Sequence, residues 1–201
     1  MDCRPDGEKQ GLLLVPLSDS HLPRRAEFAN DPGLRRMLGI PVDAPQETPD
    51  SERPWLGTRL AAGDVLLAIE VDGEYVGDID IFFVPQRRSA EFTLVIGDAR
   101  FRGKGVGTEV VQRVLRWLFS DGLLSLEPSR EEAPTNRAGF PAAYVEVDTE
   151  PGRNPLAHRF WLRQGFRFHH FEGELHWLRL TREDWLVSPG SLRPADPASI
   201  G

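Results

Sequence analysis

Between Val65 and Phe119 the hydrophobic period of the chain changes once, across a single glycine-rich turn. Before that turn, Val65 to Val71 and Tyr75 to Val84 are β-rich runs joined at Asp72-Gly73, a two-residue hairpin signal. A break at Pro85-Gln86-Arg87-Arg88 leads into Ala90 to Ile96, so three consecutive antiparallel strands are expected. After the turn, Val106, Val110, Val114, Trp117 and Leu118 recur at helical spacing from Gly105 to Phe119. Glu109, Gln112, Arg113 and Arg116 fill the other side.

The flanking chain adds elements of both kinds. Leu12 to Val15 reads as a first strand, and Ser18 to Leu38 as one or two helices interrupted at Asp31-Pro32-Gly33. Pro41 to Pro54 reads as a loop before a helix at about Trp55 to Ala62. Leu126 to Phe140 reads as a long irregular loop, and Ala142 to Val147 as a strand. Asn154-Pro155 opens a helix, with an N-cap and a proline at its first position, that closes at Gly165. Phe166 to Phe171 and Leu175 to Leu180 read as a closing hairpin. The pattern predicts one α/β (α+β) domain over residues 1–187, a mixed, mostly antiparallel sheet with helices on its faces. The proline-bearing tail 188–201 is expected to be disordered.

Charge and composition exclude more than they identify. The 201 residues carry a formal charge of −7, which argues against a general nucleic-acid binder. No stretch approaches the roughly 18 consecutive apolar residues of a membrane span. Cys3 is the one cysteine and the start lacks a secretory signal, so a cytoplasmic setting is expected.

The turn itself, Arg102-Gly103-Lys104-Gly105-Val106-Gly107-Thr108, suits an anion. Glycines let backbone N–H groups approach without a Cβ in the way, and the following helix points its positive end into the same space. A tight connection with no ligand is the plainer alternative. A Walker loop is excluded because its Gly-Lys-Ser/Thr ending is missing. A dinucleotide fingerprint is set aside because the preceding strand belongs to an antiparallel meander rather than a βαβ unit.

Thr93 to Asp98 followed by Arg102 to Gly107 resembles the Arg/Gln-x-x-Gly-x-Gly/Ala motif of the GNAT N-acetyltransferase superfamily. Asn154, Ala157, Trp161, Gly165 and Phe166 resemble its second, asparagine-led motif. Leu178 to Trp185 looks like the ribosomal-protein N-acetyltransferase branch. The resemblance implies a GNAT fold whose fourth and fifth strands splay to admit acetyl-CoA. Main chain at Val95, Ile96 and Gly97 would pair with the pantetheine arm. The amides of Arg102, Gly103, Lys104, Gly105, Val106, Gly107 and Thr108 would hold the pyrophosphate. Asn154 would lie near the reactive end, besides capping its helix. It further implies a primary amine as acceptor (a protein N-terminus, a polyamine, an aminoglycoside or another small amine). A homodimer is one possible assembly.

Acetyl transfer needs the ammonium to lose a proton, and Glu91 is the candidate base, on the same strand face as Thr93 and Val95. Its alternative role is a solvated residue on a half-exposed strand. Asp78, Asp80 and Asp148 are weaker candidates. Many family members place a tyrosine where this chain has Trp161, whose indole N–H is no useful acid, so a non-catalytic acyl-CoA-binding protein is the main rival. A nucleotide-binding module is the second. His158, His169, His170 and His176 form no recognisable metal site, since His169 and His170 should alternate across a strand, and no metal is expected. The acids of Pro41 to Pro54 (Asp43, Glu47, Asp50 and Glu52) and of Leu126 to Phe140 (Glu127, Glu131 and Glu132) could steer a cationic acceptor, the alternative being solvated surface loops with no role.

Overall fold

The computed structural model describes residues 11–119 and 142–187. Seven strands form one sheet in the order β1-β2-β3-β4-β5-β7-β6. They are β1 (Leu12–Pro16), β2 (Val65–Val71), β3 (Glu74–Val84), β4 (Ser89–Ile96), β5 (Tyr144–Thr149), β6 (Arg167–Glu172) and β7 (Leu175–Thr181). Every neighbouring pair is antiparallel except β4 and β5. The helices are α1 (Leu22–Ala29), α2 (Pro32–Leu38), α3 (Pro49–Ala61), α4 (Val106–Phe119), α5 (Pro155–Arg163) and α6 (Arg182–Val187). No helix among the described residues is long and apolar enough to cross a membrane.

Strand alternation divides the apolar residues into two cores. Leu67, Ile69, Ile79, Ile81 and Phe92 pack against the buried stripe of α4, together with Trp161 of α5 and Trp185 of α6. Leu66 and Ala68 of β2 turn the other way, onto Leu22 and Phe28 of α1 and Leu56 of α3. The sheet is therefore covered on both faces, as the mixture of periods predicts.

Three local readings change. α3 begins at Pro49, six residues before the expected Trp55, and holds Pro54 inside it. Its start is a capping box: Thr48 Oγ1 accepts from Ser51 N–H at 3.1 Å and Ser51 Oγ from Thr48 N–H at 2.9 Å. The two prolines suggest a loop, yet Pro49 occupies the first helical position, where no N–H is needed. β5 runs two residues further than expected, and α6 was not anticipated. The second acidic loop, with Glu127, Glu131 and Glu132, and the tail from Ser188 lie outside the described residues.

Under α1 and α3 the outward face of β3 is polar. Asp78 and Asp80 are both only 3% exposed. Asp78 Oδ2 accepts from Tyr75 Oη at 2.6 Å and lies 3.5 Å from Arg25 Nε. Arg25 also pairs with Glu52 of α3 and stacks on Trp55 at 4.1 Å. Asp80 Oδ1 is buried without a hydrogen-bond partner. Burial, and then the neighbouring Asp78, push the Asp80 carboxyl up to about 8. An unfolded chain would release that proton near the ordinary carboxylate value of about 3.9. Between those values the native state holds the extra proton, so stability falls as pH rises from about 4 to about 8. Asp80→Asn is expected to flatten that fall and to exceed the parent at pH 9 by about 1 kcal/mol or more. Urea melts across pH test this, and an unchanged slope would contradict it.

Candidate active site

The site begins where β4 and β5 part. Although joined through α4, they pair in parallel over only three positions: Ser89 with Tyr144, Ala90 with Val145, and Glu91 with Glu146. Beyond Glu91, β4 keeps β3 on one side, from Phe92 opposite Ile81 to Ile96 opposite Gly77. β5 keeps β7, to Thr149 opposite His176. Among the described residues, each strand thus turns an unpaired backbone edge into a wedge-shaped split, with donors and acceptors that need a partner or water. The parallel β4-α4-β5 arrangement also corrects the ground on which a dinucleotide fingerprint was set aside. The Gly103-Lys104-Gly105-Val106-Gly107 spacing and the split, rather than the strand direction, distinguish this turn.

At the open end of β4 the chain turns tightly. Asp98 N–H donates to Val76 C=O at 3.1 Å, and Asp98 Oδ1 accepts from Arg100 N–H at 2.8 Å. The Arg100 guanidinium, within hydrogen-bond reach, holds the Asp98 carboxyl down at about 2. Arg102 reaches back, with Nε 2.7 Å from Ile96 O and Nη2 2.6 Å from Gly97 O. Its side chain braces the strand end instead of standing free, and its own N–H is taken by Ala99 C=O at 3.3 Å. Gly103 and Gly105 have φ of +70° and +89°, and a Cβ at either would meet open space. Their need is conformational. The first loop-to-helix bond is Glu109 N–H to Gly105 C=O at 3.0 Å. The amides of Val106, Gly107 and Thr108 therefore precede any helical acceptor and point out of the helix start. Lys104 Nζ sits 5.9 Å from the Phe101 ring centre. Val95 lies on the α1–α3 face of β4 and Ile96 on the α4 face. At Gly97 a side chain would overlap the Phe28 ring of α1.

Across the split, Asn154 caps α5, its Oδ1 accepting from Ala157 N–H at 3.0 Å. Gln164 Nε2 joins α5 to Thr108 Oγ1 at 3.2 Å, so the two helices bordering the split are tied together. Trp161 is 5% exposed and packs edge-on to Phe160 and Phe166, with ring centres 5.0 and 5.1 Å away. It is a core residue.

At the apex, half-buried Glu91 stands opposite Glu146, which is 2% exposed. Burial first, and then the Glu146 charge, raise the Glu91 carboxyl above its ordinary range. Arg179 of β7 donates to Glu146 Oε1 from Nε at 3.1 Å and Nη2 at 2.8 Å, and lies 4.0 Å over the Tyr144 ring. Asp148 is exposed two residues further along the same face of β5. Sequence reasoning missed Glu146 and Arg179. Their signal was an acid and a base in the polar phases of two alternating strands, legible only once β5 and β7 are known to pair.

His169 and His170 do not face opposite sides as alternation requires. A register shift between Phe168 and His170 breaks the period, and both rings come to Glu146, with one ligand atom from each residue within 4.8 Å of the others. Arg179 already brings a cation to that carboxylate. The acids of the first loop are mostly engaged elsewhere: Asp50 with Arg53 at 2.7 Å, Glu47 with Ser51 Oγ at 2.7 Å, and Glu52 with Arg25.

Known proteins share this fold. The sequence matches the acetyltransferase (GNAT) domain family over residues 11–167. An N-acetyltransferase 9-like protein of Caenorhabditis elegans is 21% identical, covering 74% of this chain and 86% of the worm protein. The fold is that of spermidine N-acetyltransferase from Vibrio cholerae, solved with CoA and spermine. The TM-score is 0.66 at 15% identity, over 87% of this chain and 98% of that one. An aminoglycoside acetyltransferase solved with coenzyme A superposes with TM-score 0.66 at 16% identity, over 88% and 98%. With the family match spanning most of its length and the split strands and glycine turn both in place, the chain belongs to the GNAT acetyltransferase family.

Proposed function

We propose that this protein transfers an acetyl group from acetyl-CoA to a primary amine. The observation that carries the reading is the β4/β5 split, which ends at one side in the Gly103–Thr108 amides and at its apex in Glu91. The free edge of β4 at Val95, Ile96 and Gly97 would hydrogen-bond the pantetheine arm as an added strand. The amides of Gly103 to Thr108 and the α4 N-terminus would hold the pyrophosphate, with Lys104 adding charge. Arg102 contributes by fixing the turn. Asn154, whose Oδ1 is committed to its helix, has its side-chain N–H groups left for the cofactor's reactive end.

Acetyl-CoA supplies the activated thioester. The protein's part is to accept a proton, orient the amine and stabilise charge. Glu91 accepts the ammonium proton, directly or through water. Arg179 holds Glu146 in place beside it by hydrogen bonds, and the Glu146 charge makes Glu91 a better base by raising its affinity for the proton. A backbone N–H of the free β4 edge near Ile96 would donate to the carbonyl oxygen under attack.

Spermine and coenzyme A, as named with the Vibrio structure, and kanamycin, as named with an aminoglycoside acetyltransferase, are reasonable first probes. The ribosomal-protein likeness adds a protein N-terminus to the acceptor panel. One observation favours the non-catalytic rival: buried Trp161 offers no proton for a leaving thiolate. Thiol release with an amine panel separates the two.

CoA at about 100 times its Kd should stabilise the fold by ~2.7 kcal/mol and raise Tm by several degrees. Gly105→Val, a β-branched residue at φ +89°, should keep the fold and lose most of that shift. An equal shift would remove the turn from the cofactor site.

Glu91→Gln should retain CoA binding and lower kcat by about 10²-fold or more. In the parent, kcat/KM should fall as pH drops through a pKa above the ordinary glutamate range, because Glu91 must be ionised to accept a proton. Glu146→Gln keeps an acceptor for Arg179 and should move that acid limb to lower pH. A limb unmoved by Glu146→Gln, or turnover unaltered by Glu91→Gln, would contradict the assignment.

A further inference from the structure

The loop expected to draw a cation borders a basic pocket instead. A cavity of about 560 Å³ lies between α2, the Pro41–Gln46 loop and the turn that leads into α5. Arg35, Arg36 and Arg153 line it, and among the described residues no acid does. Arg35 is 6% exposed, and its partners are all neutral. Its guanidinium donates to the Asn30 amide oxygen at 3.4 Å and to the carbonyls of Pro41 (3.2 Å), Ala44 (2.7 Å) and Pro45 (3.2 Å). Among the described residues its charge is met by these oxygen dipoles and by no carboxylate, which leaves the wall favourable to an anion. Arg36 is exposed and makes no ion pair among the described residues. Arg153 pairs with Glu150 at 2.8 Å but is 41% exposed at its side chain.

The cavity's place in the fold gives that charge a use. Phe28, at the end of α1, packs on Gly97 at the open end of β4. Arg153 directly precedes Asn154 and follows β5 by four residues. Its guanidinium lies against Gly39, the C-cap of α2 at φ +72°, where any Cβ would overlap it. The α1–α2 pair and the β5–α5 turn thus meet beside the open end of the split. We infer that this pocket binds a carboxylate carried by the acceptor, so that the substrate is an amine bearing an anionic group rather than a purely cationic polyamine. The inference rests on the acetyl-transfer reading. The acidic apex of Glu91 and Glu146 would then take the amine and the arginines the carboxylate, fixing the acceptor at both ends.

The test uses the full chain, acetyl-CoA and a ladder of ω-amino acids, from glycine to 6-aminohexanoate, against their amides, with spermidine as the cationic comparator. At least one length is expected to favour carboxylate over amide by about tenfold in kcat/KM. R36Q/R153Q should abolish that preference while leaving amide turnover and the KM for acetyl-CoA unchanged. Gly39→Asn, which tolerates a left-handed backbone and displaces Arg153 without deleting charge, should weaken the same preference. It guards against misfolding of the double variant. No preference at any length, spermidine as the best acceptor, or a preference that survives R36Q/R153Q would overturn the pocket's role alone. So would a raised KM for acetyl-CoA that vanishes with the dephospho-cofactor, since the anion would then be the cofactor's phosphate. Acetyl-CoA binding without thiol release to any amine would instead bring down the acetyl-transfer reading, and the inference with it.

Discussion

Everything at the site follows from the short pairing of β4 with β5. Three residue pairs hold the two strands together, and after Glu91 and Glu146 the ladder stops. An unmade backbone pair forfeits about 0.5–1.5 kcal/mol of net hydrogen bonding, and more if it is kept from water. The split is tolerated because each strand is anchored on its other side. Among the described strands β4 pairs only with β3 from Phe92 onward, and the contact is close: a Cβ at Gly77 would overlap the carbonyl of Val95. Arg102, bonded to the last carbonyl of the strand at Ile96 and to that of Gly97 just beyond it, and Phe28, pressed on Gly97, keep the free end from collapsing into the gap.

Charge is distributed around that gap by distance from its apex. At the apex two carboxylates stand on paired residues, and the Arg179 guanidinium bonds one of them, Glu146. At the mouth, the amides before the first turn of α4 and the arginines beside α2 and Asn154 are positive. The buried Asp78 and Asp80 belong to neither region. They sit buried beneath α1 and α3, where Tyr75 and Arg25 engage Asp78. An overall charge of −7 gives no sign of this local arrangement.

The sheet and the helices after its glycine turn were legible because period, turn chemistry and capping agree. Asn154 does cap a helix, and the Val106 stripe is buried. Where the reading failed, local rules competed. Pro49 and Pro54 signal a loop, but the Thr48–Ser51 capping box overrides them. His169 and His170 should alternate, but a register shift brings them together. Glu146 and Arg179 are 33 residues apart, and only the β5–β7 register makes them partners. The basic pocket was invisible for the same reason. Its arginines come from α2 and the β5–α5 turn, while the intervening loop looked acidic.

The central claim is that the β4 edge and the turn after it receive the cofactor. Backbone hydrogen exchange, with and without saturating CoA, tests it most directly, because the amides in question have few partners within the protein. CoA should slow exchange at Val95 to Gly97 and at Gly103 to Thr108, and leave β1 and β2 unchanged. Saturated CoA binding with no added protection at these two stretches would contradict the account.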